Sequence, residues 1–278
     1  MSMSGRRRAM HRLASALLAV GLVLGLLVAT GCNRHPDALW HIVSEQCTPN
    51  QQAHGNPAPC VQVDLANGYA VLKDRVGALQ YLLIPTARLA GMESRGLLAA
   101  NSPRYLANAW AARHWMSHRY GQPIPDRAIA LAINSVHGRT QNQLHIHISC
   151  IKPSVRHALD TASASIDDRW APLSNPLNGH RYSARRIGPH TLQNSHVFRM
   201  LADIEEANTP VGDYGLGLAT LPNGDFVLLA TRYRLFSNHF AGAEEIQDHA
   251  CPQLQPAPSR VGARDRPGHT ALINRPAG

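Results

Sequence analysis

Charge is scarce in this chain. Charged residues make up 16% of its 278 residues and hydrophobic ones 44%, the reverse of the charge-rich, apolar-poor composition that prevents collapse, so general disorder is excluded. At this length the chain can bury one large core or two small ones. Acidic residues are fewer than basic ones, 18 against 27, giving a net charge of +9. Most of that surplus sits at the ends. Arg6, Arg7, Arg8 and Arg12 precede the first apolar run, and Arg260, Arg264, Arg266 and Arg275 stand against Asp265 in the tail. Residues 13–251 keep only about +2, so the basic pI gives little case for a nucleic-acid partner. CxxC and Cys/His zinc spacings are also missing.

What the N-terminus does have is an uncharged, almost wholly apolar stretch of 19 residues, Leu13 to Gly31, behind four arginines. That is the order of an export signal. Its length also suits an uncleaved anchor, since roughly 20 helical residues cross a bilayer core, and the basic flank would stay in the cytoplasm. The run ends Val28-Ala29-Thr30-Gly31-Cys32, similar to a bacterial lipoprotein cleavage site, with Ala29 where leucine is usual. Anchor, lipoprotein and free secretion all place the globular part outside the cytoplasm. Cys47, Cys60, Cys150 and Cys251 then read as two disulfides. Three connectivities are open; the favoured one joins Cys47 to Cys60 across a short loop and Cys150 to Cys251 across about a hundred residues, the latter stabilising by roughly 4 to 5 kcal/mol on chain entropy.

Periodicity and turn residues predict a short helix over Leu39–Gln46 and a loop over Thr48–Pro59. A hairpin follows, Gly68–Lys73 with Gln80–Pro85, then a helix over Pro103–Tyr120 closed by Gly121 and Pro123. Strands are expected at Ala128–Asn134 and Gln143–Ile151, and a helix at Pro153–Asp167. Further on come a helix over Ser195–Ala207 and a hairpin of Tyr214–Thr220 with Phe226–Thr231 around Asn223-Gly224. A short helix over Ala241–His249 precedes a Pro-, Arg- and Gly-rich tail from Pro252 to Gly278, expected to be disordered. The likeness of the two hairpins allows a tandem α+β duplication. The expected division is a signal or anchor over residues 1–31, one domain over 32–251, and the tail.

The segment Gln143-Leu144-His145-Ile146-His147-Ile148-Ser149-Cys150 alternates polar and apolar without a break. Successive strand side chains point to opposite faces, so Gln143, His145, His147 and Ser149 share one face while Leu144, Ile146, Ile148 and Cys150 enter the core. The two imidazoles stand about 6 to 7 Å apart along the strand, close enough to act on one phosphate or one metal.

This segment resembles the histidine-triad motif, His-apolar-His-apolar-His, with Gln143 at the first position, His145 at the middle and His147 at the third. With Gly121-Gln122-Pro123, Ala132-Ile133-Asn134-Ser135, Gly138-Arg139-Thr140-Gln141-Asn142 and Glu244-Glu245-Ile246-Gln247-Asp248-His249, the stretch from Leu39 to Cys251 is similar to the bacterial CDP-diacylglycerol diphosphatase family. The resemblance implies an α+β, histidine-triad-like antiparallel sheet with helices. It also implies cleavage of CDP-diacylglycerol to CMP and phosphatidate, a lipid-linked nucleotide substrate, and a membrane as partner. No cofactor and no metal are implied. The domain would lie on the periplasmic side of a bacterial inner membrane, held by the N-terminal anchor or by acylation at Cys32. His145 becomes the expected nucleophile and His147 its catalytic partner, with a nearby backbone carbonyl fixing the nucleophile's tautomer. Asn134, Thr140, Gln141, Gln143 and Ser149 are the expected substrate contacts. Gln143 departs from the motif, since an amide can hydrogen-bond phosphate but cannot be an acid of matched pKa. Two other classes stay open: a zinc-assisted phosphodiesterase built on His-x-His, and a non-catalytic lipoprotein that binds nucleotide or lipid. Lys73, Tyr81, Leu83, Trp110, Trp115 and Tyr120 read as packing or surface residues, and so does the pair His114 and His118, which has no third ligand. Arg139 and the pair Arg185-Arg186 read as solvated cations by default, with a role at phosphate or headgroup as the alternative.

Overall fold

The computed structural model describes residues 35–204, 209–236 and 238–254, with nothing of the Ala202 side chain. The run Leu13–Gly31, Cys32 and the tail beyond residue 254 lie outside the described residues. Among the described residues, no helix is long and apolar enough to cross a membrane.

The described strands form one antiparallel sheet: β1 (Gln62–Asp64), β2 (Tyr69–Lys73), β3 (Tyr81–Pro85), β4 (Ile129–Ile133), β5 (Ile146–Cys150), β6 (Ala171–Pro172), β7 (Ser183–Ile187), β8 (Tyr214–Thr220) and β9 (Phe226–Arg232). Their order is β1-β2-β3-β5-β4-β8-β9-β7-β6. The helices are α1 (Ala38–Ile42), α2 (Thr48–His54), α3 (Tyr105–Ala112), α4 (His114–Tyr120), α5 (Pro153–Ala162), α6 (Pro189–Asn194) and α7 (Val197–Met200). This mixture of helix and antiparallel sheet agrees with the α+β class.

Alternation along the strands divides the core in two. Leu83, Leu131, Ile146, Ile148, Leu218 and Leu228 point to one face, where Leu106, Trp110 and Met116 of α3 and α4 and Phe198 of α7 cover them. Helices cover the opposite face only at its ends. Val43 and Cys47 pack on Ala70, Leu82 and Ile84 at one end. At the other, Val155 and Leu159 of α5 pack on Ala130, Ala219 and Leu229. Between these two clusters His147 stands in a row with Leu82 of β3 on one side and Ala132 of β4 on the other.

Both favoured disulfides are present, Cys47–Cys60 and Cys150–Cys251, with sequence separations of 13 and 101. Several boundaries differ from expectation. Thr48–His54, predicted as loop, is helical and ends at Gly55 in the left-handed region, φ 63°. The π-helical turn Val43–Cys47 joins it to α1 and accommodates Pro49, which cannot donate to the fourth carbonyl back. The helix expected over Pro103–Tyr120 breaks at Arg113, whose guanidinium turns to the Trp110 carbonyl and Asp126. The strand expected over Gln143–Ile151 is ladder-paired only from Ile146 to Cys150, because the Gln143 side chain is tied to a neighbouring loop. The helix over Pro153–Asp167 stops at Ala162 and continues as the 3-10 turn Ser163–Ser165. That over Ser195–Ala207 contracts to α7 and the 3-10 turn Leu201–Asp203, with Glu205–Ala207 outside the described residues. Ala241–His249 is no α-helix. Only Ala243–Ile246 make a 3-10 turn, because the backbone around it pairs with the end of β5: Lys152 N–H donates to Ile246 and Asp248 N–H to Cys150, both at 2.9 Å. Pro252–Leu254, assigned to the tail, form a further 3-10 turn.

Candidate active site

The segment Phe240–Cys251 runs as a strap over the uncovered middle of the sheet, and glycines let it lie close. A Cβ on Gly215 would stand 2.3 Å from the Ala241 carbonyl oxygen, and one on Gly217 would stand 2.6 Å from Ile246 Cδ1. Ser135 N–H and Oγ donate to the Ala241 and Phe240 carbonyls. Gln247 reaches through to the Ala130 carbonyl at 2.7 Å and that of His147 at 3.2 Å. Disulfide Cys150–Cys251 closes the far end. The strap therefore has one seat, and it brings Glu244 and His249 to the histidines of β5.

His145 and His147 lie on the same side, ring centroids 4.9 Å apart and edge to face. Both are buried, at 8% and 6% exposure. His145 Nδ1 is 2.7 Å from the Gln143 carbonyl oxygen. A carbonyl can only accept, so Nδ1 carries the proton and Nε2 keeps its lone pair. Burial, then the neighbouring His147, pull the His145 pKa down to about 4. The ring is neutral at pH 7.

His147 Nδ1 lies 3.1 Å from Glu244 Oε1, and His249 Nε2 lies 3.0 Å from the same oxygen. Asn134 Nδ2 donates to Glu244 Oε2 at 3.1 Å, and Asn134 Oδ1 accepts from the Glu244 N–H. Gln80 Nε2 adds donors to Asp74 Oδ2 at 2.9 Å and Glu244 Oε1 at 3.3 Å, beside His147 Nδ1. Burial pushes the Glu244 carboxyl up, but hydrogen bonds from His147, His249 and Asn134 outweigh it and hold the group well below the ordinary carboxylate range. An ionised Glu244 thus stands between the His147 and His249 rings as a hydrogen-bond acceptor common to both. The outer nitrogen of His147, Nε2, finds no partner among the described residues.

The expected substrate contacts divide differently from the sequence reading. Asn134 does lie at the site, but its side chain holds Glu244. Ser149 is also there, with Oγ 2.9 Å from His249 Nδ1, so it orients a histidine. Gln143 is fully buried and has no donor left for a phosphate. Its amide nitrogen donates to the Pro85 and Ala87 carbonyls, and its oxygen accepts from Leu89 N–H. The apolar surroundings and three backbone partners correct the expected role: Gln143 pins the loop after β3. Gln141 is likewise turned away, donating to the His35 carbonyl and accepting from Leu39 N–H. Thr140 is exposed on the same turn. Arg139 is not solvated; it makes a two-pronged ion pair with Glu93 at 2.7 and 2.9 Å. Arg185 and Arg186 pair with Asp203 and the Ser163 carbonyl. Glu244, His249 and Gln80 were missed as site residues. The run Glu244–His249 stood in the quoted motif, but no spacing connects it to a strand a hundred residues upstream.

Gly215→Ala tests the seating of the strap. Its methyl would meet a backbone oxygen, so the strap must lift, at about 1 to 3 kcal/mol for overpacking. Loss of kcat together with a lower Tm is expected in steady-state assays and thermal denaturation. A variant with full kcat would show that the strap's position is immaterial to the site.

Two histidines, a carboxylate between imidazoles, and an α+β scaffold describe a hydrolase. The chain belongs to the CDP-diacylglycerol pyrophosphatase family, whose model matches residues 34–255. It is 48% identical over 258 residues to the CDP-diacylglycerol pyrophosphatase of Yersinia pestis, covering 92% of this chain and 98% of that one. Hydrolysis of CDP-diacylglycerol is the activity of this family. Among solved structures, a DUF4931 family protein from Bacillus cereus ATCC 10987 is similar at TM-score 0.40 and 12% identity, over 64% of this chain and 87% of that one.

Proposed function

We propose that this chain hydrolyses CDP-diacylglycerol to CMP and phosphatidate through a nucleotidyl intermediate on His145. The carrying observation is the commitment of Nδ1 to the Gln143 carbonyl, which leaves Nε2 of a neutral, buried ring as the free nucleophile. Nε2 attacks the phosphorus of the CMP moiety. A nitrogen–phosphorus bond forms, the bond to the bridging oxygen breaks, and phosphatidate departs with that electron pair. His147, which meets Glu244 through Nδ1, acts as the acid and gives a proton from Nε2 to the departing oxygen. Water then attacks the adduct and passes a proton to the now neutral His147. CMP leaves, and the electron pair returns to His145 Nε2. Glu244 stays ionised throughout and stabilises the imidazolium, as an orienting carboxylate does in other histidine sites. Rapid quenching in alkali and peptide mapping by mass test this: a cytidylyl group on the peptide containing His145 is expected. Simultaneous release of phosphatidate and CMP with no adduct would overturn it.

The place of the lipid rests on a separate feature. Phe236 is 99% exposed, and Leu235, Phe240 and Val136 are exposed beside it, on the loop that leads into the strap and the turn after Asn134. Exposed aromatics next to a site mark an interaction surface, and here the bilayer that holds the substrate suits it. Phe236→Ser is expected to lower kcat/KM on vesicle-embedded substrate about tenfold, the effect of one apolar side chain, and to leave hydrolysis of detergent-dispersed substrate unchanged. Equal rates in both assays would remove this loop from membrane contact. The export-type N-terminus and two disulfides support a periplasmic site facing the inner membrane, held by the Leu13–Gly31 run or an acylated Cys32. A histidine-triad-like ancestry with tandem halves is supported by the likeness of hairpins β2–β3 and β8–β9, which stand on opposite sides of β5 and β4.

A further inference from the structure

Next to Glu244 on the strap, Glu245 turns to a second cluster. Its carboxylate lies 2.6 Å from His180 Nδ1 and 3.5 Å from His239 Nε2, and it accepts from the Tyr182 hydroxyl at 2.7 Å. The two imidazoles stack with centroids 3.8 Å apart. One donor atom from each of His180, His239 and Glu245 falls within 4.8 Å of the other two. His239 is 6% exposed, and its Nε2 has no hydrogen-bond partner among the described residues. That nitrogen and the Glu245 carboxylate stand 3.5 Å apart, longer than a hydrogen bond and close to the spacing of two ligands on one zinc ion.

We propose that His180 Nδ1, His239 Nε2 and the Glu245 carboxylate are the protein ligands of a zinc ion. Two imidazoles and one carboxylate suit zinc, copper or iron and not magnesium or calcium, which take oxygen donors. Zinc bonds of about 2.0 to 2.2 Å place ligand atoms a little over 3 Å apart, so binding requires the short His180–Glu245 contact to open and the stacked rings to turn, since an imidazole ligates in its own plane. His180 and His239 border a cavity of about 320 Å³ that Tyr182, Arg181, Arg232 and Arg234 also line, room for a water or an anion as the fourth ligand. Tyr182 supplies the outer hydrogen bond that orients the carboxylate. The ion would join three separate segments: the turn before β7, the loop after β9 and the strap. In doing so it would position Glu244, one residue away.

The test uses the full-length chain in detergent, stripped with chelator and then titrated with zinc or cobalt(II) chloride. One equivalent of zinc is expected to bind and to raise Tm by a few degrees, and cobalt is expected to give the intense visible bands of a four-coordinate site. His180→Ala and Glu245→Gln should each lose that equivalent, and His145→Ala should keep it. Retention of binding in both cluster variants would overturn the proposal. So would wild-type protein that takes up no zinc or gives only the weak spectrum of six-coordinate cobalt, a result that does not depend on any variant folding.

Discussion

His145→Ala is expected to lower kcat by at least about 10⁴-fold, the scale on which loss of a nucleophile acts, with little change in the fold at pH 7. The ring sits at the end of a strand, and its one hydrogen bond to the Gln143 carbonyl is worth about 1 kcal/mol net. Single-turnover release of CMP measures the first effect and chemical denaturation the second. Hydrolysis within tenfold of wild type would remove His145 from the chemistry. The same substitution has a pH signature. His145 titrates at about 4 in the folded chain against an ordinary 6.5, so between those values the unfolded state binds the extra proton and stability rises with pH. Folded wild type therefore loses about 2 kcal/mol at pH 5 from this residue alone. His145→Ala should show a flatter acid limb. An unchanged slope between pH 4 and 6.5 would contradict a buried neutral ring.

Glu244→Gln should cost kcat about 10² to 10⁴-fold, the range for disabling an acid–base group or its orienting carboxylate. The carboxylate accepts from His147, His249, Asn134 and Gln80. An amide has only one accepting oxygen, and its N–H groups would face donors. One imidazole must therefore change tautomer or turn away, and His147 loses the carboxylate at its Nδ1. KM should move far less than kcat, because the nucleophile and the seat of the strap are untouched. Steady-state kinetics resolve the two constants. A variant with kcat within threefold of wild type would reduce Glu244 to a structural residue. Acid stability follows the opposite kind of group with the same sign. A depressed carboxylate supports the fold above its ordinary 4.5, and that support is lost as pH falls further.

Much of the framework was legible because it rests on local periodicity. Leu144, Ile146, Ile148 and Cys150 do enter the core and His145 and His147 do share a face, since alternation is a property of the extended backbone itself. The Asn-Gly hairpin and the glycine stops also act over a few residues. The misread parts share a different cause. Thr48–His54 contains a proline that a π-turn absorbs. The strap was expected to be helical, and its backbone instead pairs with residues a hundred positions away. Gln143 and Gln141 look like phosphate contacts by type, yet backbone groups from distant loops use both of their amides.

Chain chemistry alone determined which residues can be a nucleophile, which face they take on their strand and that the four cysteines after Cys32 are even in number, enough for two disulfides. Those follow from side-chain type and a two-residue repeat. The carboxylate beside His147 and the meeting of His180, His239 and Glu245 were decided only by tertiary structure. Each depends on one glycine-bedded crossing of the sheet by the strap, a contact between segments that no local pattern encodes.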